Sequence, residues 1–170
     1  MNDRPPGHAS DRGVVRDSIG VGVATGAYGV SFGAIATASG LDVWQACALS
    51  LLVFTGASQF AFVGVVGAGG APLAGTLTAV LLGSRNTFYG LALAPLLRVR
   101  GARKAAAAHV VIDESTAMSV ARDTPRQARI GFYVTGWSIF CLWNLMTLAG
   151  AVAGQALGDP RTYGLDAAVG

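Results

Sequence analysis

Three stretches of the chain carry no charged side chain: residues 18–41, 43–84 and 130–158. A bilayer core of about 30 Å takes roughly 20 helical residues to cross. The first and third stretches are each long enough for one crossing, and the middle one, extended to residue 97, for two. The pattern predicts helical segments over residues 18–39, 43–66, 73–97 and 130–157. Residues 105–121 form a further helical segment that carries His109, Asp113 and Glu114 and reads as membrane-dipping or interfacial. Ser84-Arg85-Asn86 splits the third segment into halves too short to span. The expected fold class is an all-α, polytopic helical membrane protein with at least one broken or re-entrant segment.

Local signals place the ends of these elements. Gly40 suits a helix C-terminus and Asp42 the next N-cap. Trp44 falls at the level of an interfacial aromatic. Gly67-Ala-Gly-Gly-Ala-Pro72 reads as a turn that ends on a residue able to start a helix. Asp123-Thr124-Pro125 offers an N-cap followed by proline at the first helical position. Gly22, Gly26, Gly29 and Gly33 alternate at spacings of four and three, and Gly150, Gly154 and Gly158 recur every four. Both sets predict faces where helices pack closely, as small residues do in lipid. Residues 1–17 are expected as a polar, disordered tail and residues 18–170 as the transmembrane domain; the 24 uncharged residues that follow the tail exceed a signal-peptide core.

Composition sharpens the picture. Apolar residues make up 52% of the 170, and charged residues only 12%, about half the share a soluble domain carries. Net charge is +3, with basic residues not interleaved with aromatics, which argues against nucleic acid and for topology signals and headgroup contacts. Cys47 and Cys141 both lie in apolar runs and are expected to be small buried hydrophobes without a disulfide. No Cys or His occurs at metal-ligand spacing, and no nucleotide fingerprint is present, so neither metal nor cofactor is expected. Gly56-Ala-Ser58 with His109 lacks the glycine an intramembrane serine nucleophile wants, so no enzyme is expected. Lys and Arg collect inside, which places residues 98–104 and 122–129 in the cytoplasm. The N-terminus then lies outside if the first three segments each cross once. It lies inside, beside Arg4, Arg12 and Arg16, if one segment between residues 43 and 97 turns back. The balance leans to the second, with the turn at Ser84-Arg85-Asn86.

Candidate chemistry centres on Arg85. A guanidinium at bilayer depth costs about 2.5–3.5 kcal/mol on insertion scales, so it finds a partner. Two readings stay open: a dock for an anionic group such as a substrate carboxylate, or a structural pair with Asp113 or Glu114 or snorkelling to the interface. Asp113 and Glu114 point about 100° apart on a helix, so one can pair with Arg85 while the other binds a proton or an ammonium group, unless both lie on a solvated face. His109, four residues before Asp113, is a candidate to share its face. Thr55, Ser58 and Gln59 lie deep in an apolar helix beside Gly56, where a loosened backbone would line a polar cavity or the side chains would cross-link helices. Asn144, next to Trp143, has the same two readings.

Tyr28-Gly-Val-Ser-Phe-Gly33, Thr55-Gly-Ala-Ser-Gln-Phe60, Arg85 with Tyr89-Gly-Leu-Ala-Leu-Ala-Pro95, Asp113-Glu114, Trp143 with Gly150 and Gly154, and Gly164-Leu165-Asp166 occur in an order that resembles the AzlC-type branched-chain amino acid permeases. The resemblance covers residues 20–170. It implies the large subunit of a two-component, proton-driven exporter of leucine, isoleucine and valine, in some members methionine, in a bacterial inner membrane. Its partner would be a small hydrophobic AzlD-type subunit. Its motif matches fall on Thr55, Gly56, Ser58, Gln59, Arg85, Asp113 and Glu114. A zwitterionic substrate needs a cation, an anion and an apolar wall. That chemistry makes Arg85, Asn86, Thr55, Ser58, Gln59 and Phe60 the candidate substrate contacts, with Phe54 and Phe62 as further wall. Asp113, Glu114 and His109 are the candidates for proton coupling or ion pairing. Gly83 stands where the family usually has asparagine, and the chain is expected to lack the family's C-terminal helices. The alternative function is a non-transporting membrane scaffold or assembly subunit whose glycine faces bind partner helices.

Overall fold

A computed structural model describes residues 10–157, which form nine α-helices and no strand. They are α1 (Asp11–Ala27), α2 (Gly29–Ala38), α3 (Val43–Leu52), α4 (Ala57–Gly67), α5 (Pro72–Gly83), α6 (Arg85–Leu97), α7 (Ala102–His109), α8 (Asp113–Val120) and α9 (Pro125–Leu157). The first helix starts earlier than the pattern predicts, so residues 11–17 of the expected tail are helical. Ser10 Oγ accepts from the Gly13 N–H at 3.1 Å, and Asp11 sits in the first turn, where a carboxylate complements the helix dipole. Residues 1–9, Gly158 and the Gly164-Leu165-Asp166 motif lie outside the described residues.

Two spans, Asp11–Ala38 read through Tyr28 and Pro125–Ala156, are each long and apolar enough to cross a membrane. The outer surface is apolar as well. Leu73, Leu77, Val80 and Leu81 on α5 and Phe88 and Leu91 on α6 are 63–77% exposed. On each helix these side chains form an exposed apolar stripe, which lipid covers at no cost.

The chain forms two compact units. One holds Gly26–Gly83 and α9 from Leu142 onward. In it α2 packs on α3 and α4, and α4 on α5. The α3–α4 segment folds back on itself: Gly67, ending α4, lies against Ser39 just before α3, and Gln45 and Val66 line one cavity. The fold-back occurs at residues 53–56, where Gly56 adopts φ 61°, ψ −94°, a conformation that favours glycine. Gln59 staples the break. Its Oε1 accepts from the Gly56 N–H and its Nε2 donates to the Leu49 carbonyl, both at 3.2 Å. Asp42 and Gln45 start α3 with reciprocal bonds of 2.8 and 2.9 Å, a capping box. Backbones meet where glycine permits: a Cβ at Gly29 would fall on the Trp143 carbonyl, at Gly33 on the Thr147 carbonyl, at Gly150 on the Val30 carbonyl, while Gly26 faces Leu142 and Gly154 faces Thr37.

The other unit holds the described part of α1 up to Thr25, together with Ser84–Cys141. Here the expected continuous helix over residues 105–121 is two helices. The β-branched run Val110-Val111-Ile112 is buried and non-helical, with Ile112 extended at φ −133°, ψ 173°. Ser115 staples this break, accepting from the Ile112 N–H at 3.1 Å and donating to the Val110 carbonyl at 2.7 Å. The segment also folds back: Arg103 on α7 lines a cavity with Arg129, Val110 meets Gly136, and Met118 on α8 returns to Gly131. Gly22 on α1 packs against Ser138.

The two units repeat one another internally at a constant offset of 56 residues. Tyr28 and Ser84 join helices with similar helical dihedrals, φ −64°, ψ −16° and φ −58°, ψ −26°. Gln59 caps Gly56 as Ser115 caps Ile112. Gly75 lies against Phe62 as Gly131 lies against Met118. Each copy is a helix, a fold-back pair with a stapled break, and a returning helix.

Several expectations are corrected by this geometry. The third segment is interrupted at Ser84, between α5 and α6, but Ser84 keeps helical dihedrals. The chain turns back instead at residues 53–56 and 110–112, where Gly56 and Ile112 leave the helical region. By contrast, the cap and proline at the start of α9 sit as the pattern predicts, Thr124 Oγ1 accepting from the Gln127 N–H at 3.3 Å and Pro125 opening the helix. Cys141 is exposed and Cys47 half-buried, both as free thiols, since Cys141 sits on an outer face of α9.

Candidate functional site

Arg85 opens α6 directly after the bend at Ser84, and Asp113 opens α8 directly after the break. A carboxylate at a helix N-terminus is stabilised by unpaired N–H groups, and here it also meets a cation. Arg85 Nη2 lies 2.8 Å from Asp113 Oδ2, with the two side chains 37% and 45% exposed. Tyr89, one turn along α6 from Arg85, directs its phenol to the same carboxylate. The pair is single-stranded. Arg85 Nε and Asp113 Oδ1 are both shielded from solvent and have no hydrogen-bond partner among the described residues. A guanidinium and a carboxylate can instead meet through two parallel bonds, so each group here keeps an unused edge.

Asn86 and Glu114 are half-buried beside this pair, each next in sequence to one of its members, and Glu114 has no ion-pair partner among the described residues. His109 ends α7 on the far side of the break. Residues 110–112 separate it from Asp113, and its ring packs edge-on to Phe140 with centroids 5.3 Å apart.

Thr55, Ser58, Gln59 and Phe60 belong to the other unit. Thr55 Oγ1 donates to the Val53 carbonyl at 3.3 Å, and the Gln59 amide is spent on the break. Ser58 is buried, its hydroxyl without a partner among the described residues, 3.1 Å from where a Cβ at Gly83 would sit. Phe60 meets Phe32 edge-on at 5.5 Å and Trp143 at 6.1 Å. Ser50 donates to Asn144 Oδ1 at 2.7 Å, so Asn144 links helices. Phe62 lines a cavity of about 560 Å³ with Leu49, Leu52, Val53 and Val66, whereas Phe54 is buried.

Sequence reasoning places Tyr89 in a motif but not in the site, although its four-residue spacing from Arg85 puts both on one helix face. It missed the buried hydroxyls of Thr116 and Ser119 on α8. The polar run Ser115-Thr116 with Ser119, inside a helix otherwise fit for lipid, was the available signal.

Two helices long and apolar enough to cross a membrane, closely packed glycines and an ion pair at a helix start fit an all-helical membrane protein. The model of the family described as AzlC protein matches residues 20–157, and the chain belongs to that family. A particular relative is the inner membrane protein YgaZ of Escherichia coli (strain K12), 27% identical over 160 residues that make up 89% of this chain and 64% of that protein. The chain thus spans less than two thirds of that relative's length. No solved structure matches. By its name that relative resides in the inner membrane.

Proposed function

We propose that this chain is the large subunit of a multi-pass secondary transporter that exports leucine, isoleucine and valine, and methionine in addition, coupled to protons and working with a small hydrophobic AzlD-type subunit. The observation that carries the reading is the half-used Arg85–Asp113 pair. An amino acid is a zwitterion without net charge. Its carboxylate can take the fork of Arg85 while its ammonium takes Asp113, with Tyr89 steadying the oxygens. One ion pair is exchanged for two, and neither charge is left bare in a low-dielectric surrounding, where a bare charge is costly. A plain anion or cation would leave one partner uncompensated, so the site selects zwitterions. Glu114, outside the pair, is the proposed proton carrier. The fold-back pairs agree with a transporter, since broken helices are where such proteins hold small substrates.

The same geometry supports an inside N-terminus. With α3–α4 entering and leaving on the outer side, α1–α2 and α5–α6 each cross once, and the basic runs at residues 98–104 and 122–129 reach the cytoplasm together with Arg12 and Arg16. The test is counterflow of labelled leucine into leucine-loaded vesicles carrying the full chain, with and without the small subunit. Saturable uptake that isoleucine and valine suppress and glutamate or lysine does not is the expected result. Vesicles that show no exchange in either form, with inserted protein present, would refute it.

A further inference from the structure

We propose that the end of α6, with α7 and α9, forms a binding site for the phosphate headgroup of an anionic phospholipid. The cavity there measures about 520 Å³ and is lined by Leu97, Arg98, Val99, Arg103, Ala106, Arg129 and Tyr133. Three guanidinium groups from three elements converge on it, and no carboxylate lines it. Two are aimed by the backbone. Arg98 Nε donates to the Pro95 carbonyl at 3.1 Å, and Arg129 Nε donates to the Leu96 carbonyl at 3.0 Å, each closing the last turn of α6. Bonding through Nε does not use the terminal nitrogens, the pair that grips phosphate oxygens. Arg98 holds its place at φ 52°, the one positive φ outside glycine among the described residues. Such a conformation is disfavoured for a side chain that only needs to be cationic and near a membrane.

The occupant is lipid because of where the cavity sits. The apolar α6 ends at Leu97, which is buried, and the basic run starts at Arg98, so the arginines stand at headgroup level. Val99, Ala106 and Tyr133 complete the wall with apolar and aromatic surface, which suits the glycerol end of a lipid. Basic pockets between helices on the cytoplasmic side hold anionic headgroups in this way. A general inside-positive charge would need neither the Nε anchors nor the convergence.

The test uses the full chain purified in nonionic detergent and measures retention of dioleoyl phosphatidylglycerol against dioleoyl phosphatidylcholine by native mass spectrometry. Each basic residue near a headgroup is worth about fivefold in affinity. Replacing Arg98, Arg103 and Arg129 together by glutamine is therefore expected to weaken phosphatidylglycerol binding about 100-fold and to leave phosphatidylcholine unchanged. Arg103→Gln alone removes no hydrogen bond or ion pair among the described residues and is expected to cost about fivefold. A control with Arg12, Arg16 and Arg122 replaced by glutamine loses the same charge and is expected to change affinity by less than about threefold. Equal losses in the two triple variants, or no effect of Arg103→Gln, would overturn the site. Displacement of the lipid by equimolar inorganic phosphate would assign the cavity to a free anion and overturn the lipid.

Discussion

Gly33 offers a quantitative test of how the unit containing Gly26–Gly83 is held together. A methyl group there would collide with the Thr147 carbonyl and stand 2.6 Å from the Ala151 nitrogen. Both are backbone atoms of α9, so no rotamer change relieves the clash. To restore ordinary contact α2 and α9 must part by something on the order of 1 Å, and such overpacking costs about 1–3 kcal/mol. Alanine recovers at most about 1 kcal/mol through its better helix propensity. The net expectation for Gly33→Ala is a loss of about 1–2 kcal/mol. Gly64, in the same unit on α4, has nothing within 4 Å of the place a methyl group would take. Gly64→Ala is therefore expected to be neutral or to gain up to about 1 kcal/mol. Equilibrium unfolding in mixed detergent micelles, followed by tryptophan emission, reads the effect near its source, because Trp143 stacks on Phe32 at 6.1 Å. If Gly33→Ala proved as stable as Gly64→Ala, close backbone packing would not be what holds these helices.

The two staples should respond alike. Gln59→Leu strands the Gly56 N–H, while the Leu49 carbonyl keeps the Val53 N–H, and Ser115→Ala strands the Ile112 N–H and the Val110 carbonyl; each stranded group costs about 1–3 kcal/mol when it stays dry. Hydrogen exchange at Gly56 and Ile112 should accelerate in the respective variants, and unchanged protection would contradict the stapling role. For topology, Cys47 and Cys141 are first replaced by serine. Leu41→Cys and Ala68→Cys should then react with an impermeant maleimide applied to intact cells, while Ala102→Cys and Thr124→Cys should react only after lysis. Opposite labelling of Leu41→Cys and Ala68→Cys would rule out the outer fold-back.

Sequence reasoning reached what local chemistry determines. Gly40, the Asp42 cap and the turn from Gly67 to Pro72 each act through neighbours a few residues away, and all three sit where the pattern predicts. Arg85 and Asp113 were legible for a different reason: a charge in a greasy segment must find its opposite, and few opposites exist. The breaks were harder. Gly56 is one of many glycines, and nothing local marks it as the one with positive φ. Val110-Val111-Ile112 looks as fit for a membrane helix as for an extended turn. The repeat was hidden because its equivalent positions keep geometry and not chemistry. Gln59 corresponds to Ser115, and Ala57 to Asp113, so only pairs such as Gly75 and Gly131 or Phe32 and Phe88 survive as identities. The charged pair exists in one copy alone; Gly29 and Ala57 occupy the equivalent places in the other.

Binding of labelled leucine to the purified full chain, carrying Arg85 and Asp113 exchanged with one another, tests the central assignment most directly. Arg85→Ala or Asp113→Ala alone should weaken binding about tenfold to a hundredfold, the worth of one charge-assisted hydrogen bond. The exchanged pair, Arg85→Asp with Asp113→Arg, should recover the unfolding midpoint lost in the single variants, because the ion pair is restored. It should not recover leucine binding, because the zwitterion would enter reversed, with its side chain pointing the wrong way. Full recovery of both, or single variants that bind leucine as the parent does, would make the pair a structural brace and leave the substrate site elsewhere.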